Sequence, residues 1–270
     1  MSATTALDTL LLSDVHLGSD ISRAQDALDV LKSVSFRRLI LLGDIFSDLN
    51  FRRLTGEHWR FLSYIRKLSN PKRKIEVVWV EGNHDRGLSK VMSHLVGLPV
   101  YQRYAWEFDG KRHLAIHGHQ FDRFVARNLL ISRVGEFLYY EIQKLEGPEK
   151  SVSRYLDRLN TNWLQLCTKV SSGAISYARQ GGIDRVFCGH THVASKLVQD
   201  GVEYYNTGAW INPTATYIAV DSEGVRIHEH TCRTDNRDSG EERSSQSAFP
   251  ADFPLQPGLP ALSSYQSVRC

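Results

Sequence analysis

The sequence predicts an α/β fold, and three observations support this prediction. Short apolar runs alternate with helix-like stretches over residues 1–118, strand-like runs return after Arg185, and short polar motifs follow several of these runs. Alternating strands and helices are typical of α/β domains, in which the apolar runs become buried strands. With 270 residues, of which 41% are hydrophobic and 23% charged, the chain is long enough to bury a sizeable core.

The first part of the chain contains predicted strands and helices in alternation. Short, mostly apolar runs predict strands over Leu7–Leu12, Arg38–Leu42, Ile75–Val80, Tyr104–Phe108 and His113–His117. Apolar residues at helical spacing predict helices over Ile21–Val34 and Leu54–Leu68. Asp109 and Gly110 separate the last two strands and predict a hairpin turn.

Residues 120–181 are predicted to form a helical insert in the α/β body. Two apolar stripes at helical spacing, separated by Gly147 and Pro148, predict two long helices joined by a turn. The first stripe consists of Leu130, Val134, Phe137, Leu138 and Leu145, and the second of Val152, Leu156, Leu159, Trp163, Leu166 and Val170. Two interpretations stay open, because a helical pair has two faces: packing into the core, and contact with a membrane.

Strand-like runs return from Arg185, with turn residues between them. They are Val186–Cys188, Ala194–Val198, Glu203–Tyr205, Ala215–Val220 and Val225–His230. The remaining residues, Thr231–Cys270, contain four of the eight prolines and show little periodicity, which predicts a disordered tail. The predicted organisation is therefore one domain over residues 1–230, with the insert inside it, and a tail over residues 231–270.

Charge, apolar runs and cysteines argue against several classes of protein. Lys and Arg total 33 and Asp and Glu total 30, and this net charge of +3 does not indicate a nucleic-acid binder. No apolar run approaches the roughly 20 residues that span a bilayer, and the N-terminal residues lack the basic region of a signal peptide. The four cysteines are widely separated, so neither a disulfide framework nor a thiolate zinc site is expected. We expect a cytoplasmic protein, with peripheral contact at the inner membrane as an extension of that expectation.

Five polar motifs follow predicted strands, and they carry the functional prediction. In chain order they are Asp14-Val15-His16, Gly43-Asp44, Gly82-Asn83-His84-Asp85, His117-Gly118-His119 and Gly189-His190-Thr191-His192. Ligands of open α/β sheets lie at the carboxyl ends of strands. Carboxylate, imidazole and amide groups suit manganese, iron, zinc or magnesium. Each motif alone has a structural explanation, but their joint occurrence after successive strands indicates a metal site.

This set of motifs resembles the pattern of the calcineurin-like metallophosphoesterases, D-x-H, G-D, G-N-H-[DE], H and G-H-x-H. The resemblance extends from residue 7 to about residue 230. It implies a four-layer α/β/β/α sandwich with two divalent metal ions at one edge, with manganese as the first candidate. By matching position, it implies a first metal held by Asp14, His16, Asp44 and His192. It implies that Asp44 bridges to a second metal, completed by Asn83, His117 and His190.

Within that family the chain looks most like the UDP-2,3-diacylglucosamine pyrophosphatase-like subgroup, because of the helical insert and the closing segment Asn206–Trp210. The subgroup carries G-N-R-D where this chain has His84, and H-G-D where it has His117-Gly118-His119. The resemblance therefore implies hydrolysis of a phosphoester or pyrophosphate bond. The expected substrate is a phosphorylated small molecule, nucleotide-linked or lipid-linked, and its identity stays open.

Chemistry assigns roles to the remaining motif residues. With Asn83 as a ligand, His84 is free to donate a proton to the leaving oxygen or to stabilise the transition state, with Asp85 orienting its ring. His119 is expected beside a metal ligand rather than as a ligand. Arginines of the insert are candidates to hold phosphate or to meet an anionic membrane, namely Arg123 and Arg127, with Arg133, Arg154 and Arg158. Surface or packing roles are predicted for His58, His94, His113, His228 and His230.

Two other functions stay open at the level of the sequence. A phosphodiesterase or nuclease acting on nucleotides or nucleic acid would need a basic groove, which a net charge of +3 does not indicate. A non-catalytic scaffold is expected to lose ligands, whereas every ligand position is filled here. The aromatic residues of the insert are predicted to exceed what packing requires and to contact an acyl chain or the membrane interface: Phe121, Phe124, Phe137, Tyr139, Tyr140 and Trp163.

Overall fold

The structure, a computed structural model, describes residues 7–87, 97–122, 150–212, 214–231 and 266–267. Its helices are α1 (Ala24–Ser33), α2 (Gly56–Leu68) and α3 (Lys150–Gln180). Strands β1 to β12 are, in order, Leu7–Leu12, Phe36–Leu42, Glu76–Val80, Val100–Tyr101, Tyr104–Phe108, Lys111–Ala115, Arg185–Cys188, Ser195–Gln199, Val202–Asn206, Thr214–Asp221, Gly224–Thr231 and Gln266–Ser267. Every strand and both helices predicted from the apolar runs outside the insert are present, with bounds shifted by a few residues at most.

The strands form two sheets, each with a parallel centre. The seven-stranded sheet has the order β12-β11-β10-β1-β2-β3-β4, and β1 to β4 run parallel in it. The five-stranded sheet has the order β5-β6-β7-β9-β8, and β6, β7 and β9 run parallel. Parallel strands place their carboxyl ends at one edge of a sheet. The loops after β1, β2 and β3, and those after β6 and β7, therefore each gather along one edge.

Three clusters of buried apolar side chains show a four-layer arrangement. The first joins α1 and α2 to the outer face of the seven-stranded sheet, and the second lies between the two sheets. The third joins α3 to the outer face of the five-stranded sheet. Representative members, cluster by cluster, are Leu28 and Trp79, Ile40 and Phe187, and Ala178 and Val186. The predicted α/β/β/α sandwich is confirmed.

Helix α3 makes up most of the described part of the predicted insert. It has 31 residues and ends at Gln180, whereas the first predicted helix and the turn at Gly147 and Pro148 lie outside the described residues. In the second predicted stripe Trp163 is 38% exposed and Val170 is buried, so the packing interpretation holds at Val170 and not at Trp163. The buried face continues toward the C-terminus of α3, because the C-terminal half of this helix packs on the five-stranded sheet. Among the described residues, no helix combines the length and the apolar character needed to cross a bilayer.

The sequence does not predict β4 and β12. Each contains two residues, too few to show an alternating pattern, and each lies at an edge of the seven-stranded sheet. Strand β12 pairs with β11 and belongs to the segment predicted as a disordered tail. Apart from Thr231 and the two residues of β12, that segment lies outside the described part of the chain.

Candidate metal centre

The polar motifs meet where the carboxyl ends of the two sheets come together. Residues far apart in the chain become neighbours there, as the backbone N–H of His190 donates to Asp14 Oδ2 at 3.1 Å. The predicted ligands are distributed over five strand ends: Asp14 and His16 follow β1, Asp44 follows β2, Asn83 follows β3, His117 follows β6, and His190 and His192 follow β7.

The potential ligands form two groups. Within each group, the ligand atoms all lie within 4.8 Å of one another. The first group is Asp14, His16 and His192, and the second is Asp44, His117 and His190. In the first, His192 Nε2 lies 3.1 Å from Asp14 Oδ1 and 3.3 Å from His16 Nε2. In the second, His117 Nε2 lies 3.5 Å from Asp44 Oδ2. The structure therefore brings six of the seven predicted ligands into two candidate ion sites.

His117 connects the two groups. Its Nε2 atom lies 3.5 Å from Asp14 Oδ1 as well as 3.5 Å from Asp44 Oδ2, so it faces one carboxylate of each group. Ions held by the two groups would therefore be neighbours, as in two-metal centres with ions about 3.5–4 Å apart. The carboxylate of Asp44 faces His117 Nε2 of the second group through Oδ2, and its bridging position stays a prediction.

Several ligand atoms are buried and have no hydrogen-bond partner among the described residues. They are Asp14 Oδ1, Asn83 Oδ1, His117 Nε2 and His190 Nε2. Buried polar atoms in proteins are normally paired, so this concentration of bare lone pairs needs a physical reason. A metal ion provides one, because it binds lone pairs directly, and the oxygen and imidazole donors suit manganese, iron, zinc or magnesium. The residues present fit two divalent ions, and Asn83 completes the predicted set.

The ligand residues also share an unfavourable backbone conformation. Of the eight non-glycine residues with positive φ in the described part of the chain, five are predicted ligands: Asp14, His16, Asp44, His190 and His192, with φ between 50° and 68°. Left-handed backbone is costly for residues with a side chain and tends to persist where the surrounding structure imposes it, as at functional sites. Backbone hydrogen bonds impose it here, since Asp14 N donates to Gly43 O and His16 N donates to Asp44 O.

Three motif glycines leave the space that the ligands occupy. A Cβ atom on Gly82 would fall within 3.0 Å of Asp44 Oδ1, one on Gly43 within 3.0 Å of His117 Cδ2, and one on Gly189 within 3.0 Å of Asp14 Oδ2. Real Cβ atoms do not make such contacts. These glycines are therefore required because ligand side chains pack directly on their α-carbons.

Gly82→Ala tests this packing. We expect the variant to lose the ion of the second group and to unfold at a lower temperature, since overpacking typically costs about 1–3 kcal/mol. Metal content after dialysis and thermal unfolding measure the two effects. Gly56→Ala is the matched control, because the nearest atom to its added Cβ would be Arg60 Nη1 at 3.8 Å. Full metal content in Gly82→Ala would contradict the contact with Asp44.

The two central carboxyl groups differ in their tendency to ionise. Burial raises the pKa of Asp14, but the neighbouring imidazoles of His192 and His117 outweigh it and hold that pKa well below its usual value. Burial raises the pKa of Asp44 well above its usual value, with His84 acting against it and the charges of Asp14 and Asp85 adding to it. The protein groups alone therefore do not favour two neighbouring carboxylate charges. Divalent cations would stabilise both.

His84 lies beside the first group, and its orientation differs from the prediction. Its ring centroid is 5.2 Å from that of His16, and its Nδ1 atom lies 2.9 Å from Ser47 O. A carbonyl oxygen only accepts, so Nδ1 carries the hydrogen and donates it to Ser47 O. The backbone of Ser47, rather than Asp85, therefore provides the hydrogen bond that orients the ring.

Asp85 has a different role from the predicted one. It is fully buried, and its carboxylate accepts hydrogen bonds from Gly82 N at 2.5 Å and Ile45 N at 3.1 Å. Burial raises its pKa to about 6, with these two backbone donors acting in the opposite direction. Asp85 thus ties the loop after β3 to the loop after β2.

Asp122 is a candidate that the sequence reasoning missed. Its side chain is buried, and its Oδ2 atom lies 3.5 Å from His190 Nε2. It follows a 3₁₀ turn over His119–Phe121 and belongs to none of the five motifs. Its only sequence signal is its place shortly after His117. It adds a further carboxylate next to the second group.

Other predicted residues are only partly described. Arg123, Arg127 and Arg133 lie outside the described residues, as do Phe124, Phe137, Tyr139 and Tyr140. Phe121 is not surplus to packing, because it joins the cluster under α3 and its ring centroid lies 6.1 Å from that of Tyr177. Trp163 is the described aromatic residue of the insert that lies beside the centre, with its ring centroid 6.1 Å from that of His192.

Two histidines outside the motifs have packing roles, as predicted. His58 Nδ1 accepts from Gly18 N at 3.3 Å and from Thr55 N at 3.1 Å, which fastens the loop after β1 to the start of α2. His113 is buried and stacks against Trp106 and Phe187. Burial and the charge of Arg185 lower the pKa of His113 to about 4, so it packs as a neutral ring.

Comparison with known families identifies the fold family. The model of the calcineurin-like phosphoesterases matches residues 7–194, which contain all five motifs. The chain belongs to that family. Members of the calcineurin-like phosphoesterase family are di-metal hydrolases of phosphoesters, and the two ligand groups of this phosphoesterase are in accord with that chemistry. No curated protein matches the sequence significantly.

Solved structures with a similar fold include three of different origin. An archaeal phosphodiesterase is 15% identical, with 82% of this chain and 99% of that chain covered and a TM-score of 0.45. Yfce, a phosphoesterase from E. coli, is 18% identical, with 81% and 90% covered and a TM-score of 0.43. Vacuolar Protein Sorting 29 from Cryptosporidium parvum is 14% identical, with 85% and 93% covered and a TM-score of 0.47.

Proposed function

We propose that this phosphoesterase hydrolyses a phosphoester or diphosphate bond whose leaving group needs a proton. The observation that carries the proposal is the joint placement of two adjacent ligand groups and His84 at one edge of the sheets. Ligands alone would also suit a metal-binding scaffold. An oriented imidazole beside them, without a place in either ligand group, supports a catalytic centre.

The predicted cofactor is a pair of divalent ions, with manganese expected first. When bound, such ions neutralise the charge that develops on phosphoryl oxygens and make water a nucleophile near neutral pH. The first ion would be held by Asp14, His16 and His192, and the second by Asp44, Asn83, His117 and His190. Asp14 and Asp44 would keep the ions adjacent through their shared neighbour His117.

His84 is proposed to supply the proton for the leaving group. Since Nδ1 donates to Ser47 O, the other ring nitrogen, Nε2, carries a transferable proton only in the imidazolium form. Water adds to phosphorus, the bond from phosphorus to the leaving oxygen breaks, and the proton on Nε2 moves to that oxygen. The proton released by the attacking water then restores His84.

The expected substrate is nucleotide-linked or lipid-linked, and the surroundings of His192 support it. Trp163 on α3, whose ring centroid lies 6.1 Å from that of His192, is exposed, and Val193 next to His192 is exposed as well. Exposed apolar residues next to a phosphate-handling centre suit a planar base or an acyl chain on the substrate. Hydrolysis of UDP-2,3-diacylglucosamine is the finer hypothesis, and the presence of His84 in the G-N-H-D motif leaves other diphosphates open. Cytoplasmic location with peripheral contact at the inner membrane stays an expectation.

A substrate panel tests the proposal. Phosphomonoesters, phosphodiesters, UDP-sugars, UDP-diacylglucosamine and single-stranded DNA are assayed with Mn²⁺ and again after chelation. We expect metal-dependent cleavage of a nucleotide-linked or lipid-linked phosphoester or diphosphate. Preferred cleavage of the DNA would establish the nuclease instead. A protein that binds two ions and cleaves no member of the panel would contradict the proposed function.

Trp163→Ala tests the substrate class. If Trp163 contacts the base or the acyl chain, the variant should raise KM for the preferred large substrate about tenfold and leave hydrolysis of a small chromogenic phosphodiester unchanged. One lost aromatic contact is worth about 1–3 kcal/mol, which covers that range. Trp59→Ala is the matched control, since Trp59 is 49% exposed and lies on α2, in the opposite outer layer. An unchanged KM in Trp163→Ala would contradict the contact.

A further inference from the structure

We infer that His119 is a positioning residue that holds His117 in the tautomer required for metal binding. The inference deepens the proposed function, because it concerns how the second ligand group becomes competent. The Nδ1 atoms of the two rings lie 3.2 Å apart, within hydrogen-bond reach. Two imidazole nitrogens at this distance form a hydrogen bond when one carries a hydrogen and the other is bare.

The direction of this hydrogen bond follows from the other nitrogen of His117. Its Nε2 atom faces Asp14 Oδ1 and Asp44 Oδ2, is fully buried and has no hydrogen-bond partner in the part of the chain that the structure describes. A metal ion binds the bare lone pair of a neutral imidazole, so ligation through Nε2 requires the hydrogen on Nδ1. His117 Nδ1 therefore donates, and His119 Nδ1 accepts.

Without such an acceptor, the local charges would favour the wrong tautomer. Two carboxyl groups lie 3.5 Å from His117 Nε2, and a carboxylate attracts a ring N–H. A hydrogen on Nε2 would block the lone pair that an ion needs. An acceptor on the far side of the ring opposes this, because it stabilises the hydrogen on Nδ1. His119 is the described side chain at that nitrogen.

The fold holds His119 in place for this role. His119 begins a 3₁₀ turn after Gly118, whose φ of 110° is open to glycine but not to other residues. Helix α3 packs closely on both ends of the turn. A Cβ on Gly118 would lie 3.1 Å from Val170 Cγ1, and one on Gly173 would lie 2.8 Å from Phe121 Cβ. The insert helix thereby sets the position of His119 relative to His117.

Measurements of metal affinity distinguish a role of His119 as a hydrogen-bond acceptor from a role in packing. In His119→Asn the amide oxygen occupies about the place of Nδ1 and still accepts, whereas His119→Ala has no acceptor. We expect His119→Ala to weaken one of the two Zn²⁺ affinities, measured by chelator competition, about 10–100-fold. His119→Asn should stay within a few-fold of wild type, and the other affinity should be unchanged in both variants. Equal losses in the two variants would overturn the inference.

The tautomers of His117 and His119 provide a second measurement, which would not change if His119 had only a structural role. Long-range ¹H–¹⁵N spectra of the metal-free protein should show the hydrogen of His117 on Nδ1 and that of His119 on Nε2. In His119→Ala the hydrogen of His117 should move to Nε2. A wild-type protein with the hydrogen of His119 on Nδ1 would overturn the inference, whatever the activity. Failure of the wild-type protein to bind Zn²⁺ would contradict the proposed metal centre, and the tautomers would still decide the role of His119.

Discussion

Asp44→Asn should bind one divalent ion instead of two and lose about 10³-fold in kcat/KM, because an ion at the reacting phosphate contributes several kcal/mol. Asp44 is buried, its Oδ1 accepts from His84 N at 2.8 Å, and its Oδ2 faces His117 Nε2. An amide has one oxygen for these two places. Either its NH₂ group meets the N–H of His84, or it points at the nitrogen that should bind the ion.

Metal content and steady-state kinetics with Mn²⁺ measure the two effects of Asp44→Asn. Asp29→Asn is the matched control, since Asp29 lies on α1 and its side chain is 55% exposed. The control should keep both ions and full activity. If Asp44→Asn keeps two ions and turns over near the wild-type rate, the two-ion centre proposed here is wrong.

His84→Ala should keep both ions and lose about 10²–10⁴-fold in kcat on a substrate with a poor leaving group, the usual scale for a lost general acid. A substrate whose leaving group departs without a proton should lose much less. This comparison uses one variant and one metal centre, so the leaving group is the only change.

Three results would change the role of His84. Equal losses for good and poor leaving groups would make it an electrostatic stabiliser of the transition state. A lost ion would make it a ligand. Unchanged kinetics would exclude it from the reaction. Metal analysis alongside the leaving-group series separates the three.

The strands and the ligands could be predicted from local sequence. A buried parallel strand shows as a short apolar run, and a ligand residue shows as a carboxylate, amide or histidine directly after it, as Asp14 and His16 do after β1. The family pattern then assigned the ligands to a first and a second metal, and the structure places six of them in two groups. Edge strands of two residues are too short for such a pattern, which is why β4 and β12 are not predicted.

Contacts that depend on distance in space, rather than on neighbours in the chain, were not predictable. Asp85 follows His84 directly, yet Ser47 O, 37 positions away, orients the ring, since the strand ends of β2 and β3 lie side by side. Asp122 has no motif and becomes relevant through His190. Trp163 belongs to the second apolar stripe and is nevertheless exposed. The stripe indicates which face of the helix is apolar, but it does not indicate how far the sheet extends beneath that face.

The amino-acid sequence was therefore sufficient for the order of strands and helices, the α/β class and the identity of most candidate ligands, because period and residue chemistry are local properties of a chain. The four-layer arrangement was implied by the family resemblance. Three-dimensional packing was needed for the rest. It set the grouping of the ligands around His117, the hydrogen-bond partner of each imidazole and the surroundings of the centre. Those features depend on how two sheets and α3 come together, and angstrom-scale distances between residues more than 100 positions apart, such as His190 N and Asp14 Oδ2, have no counterpart in any short stretch of sequence.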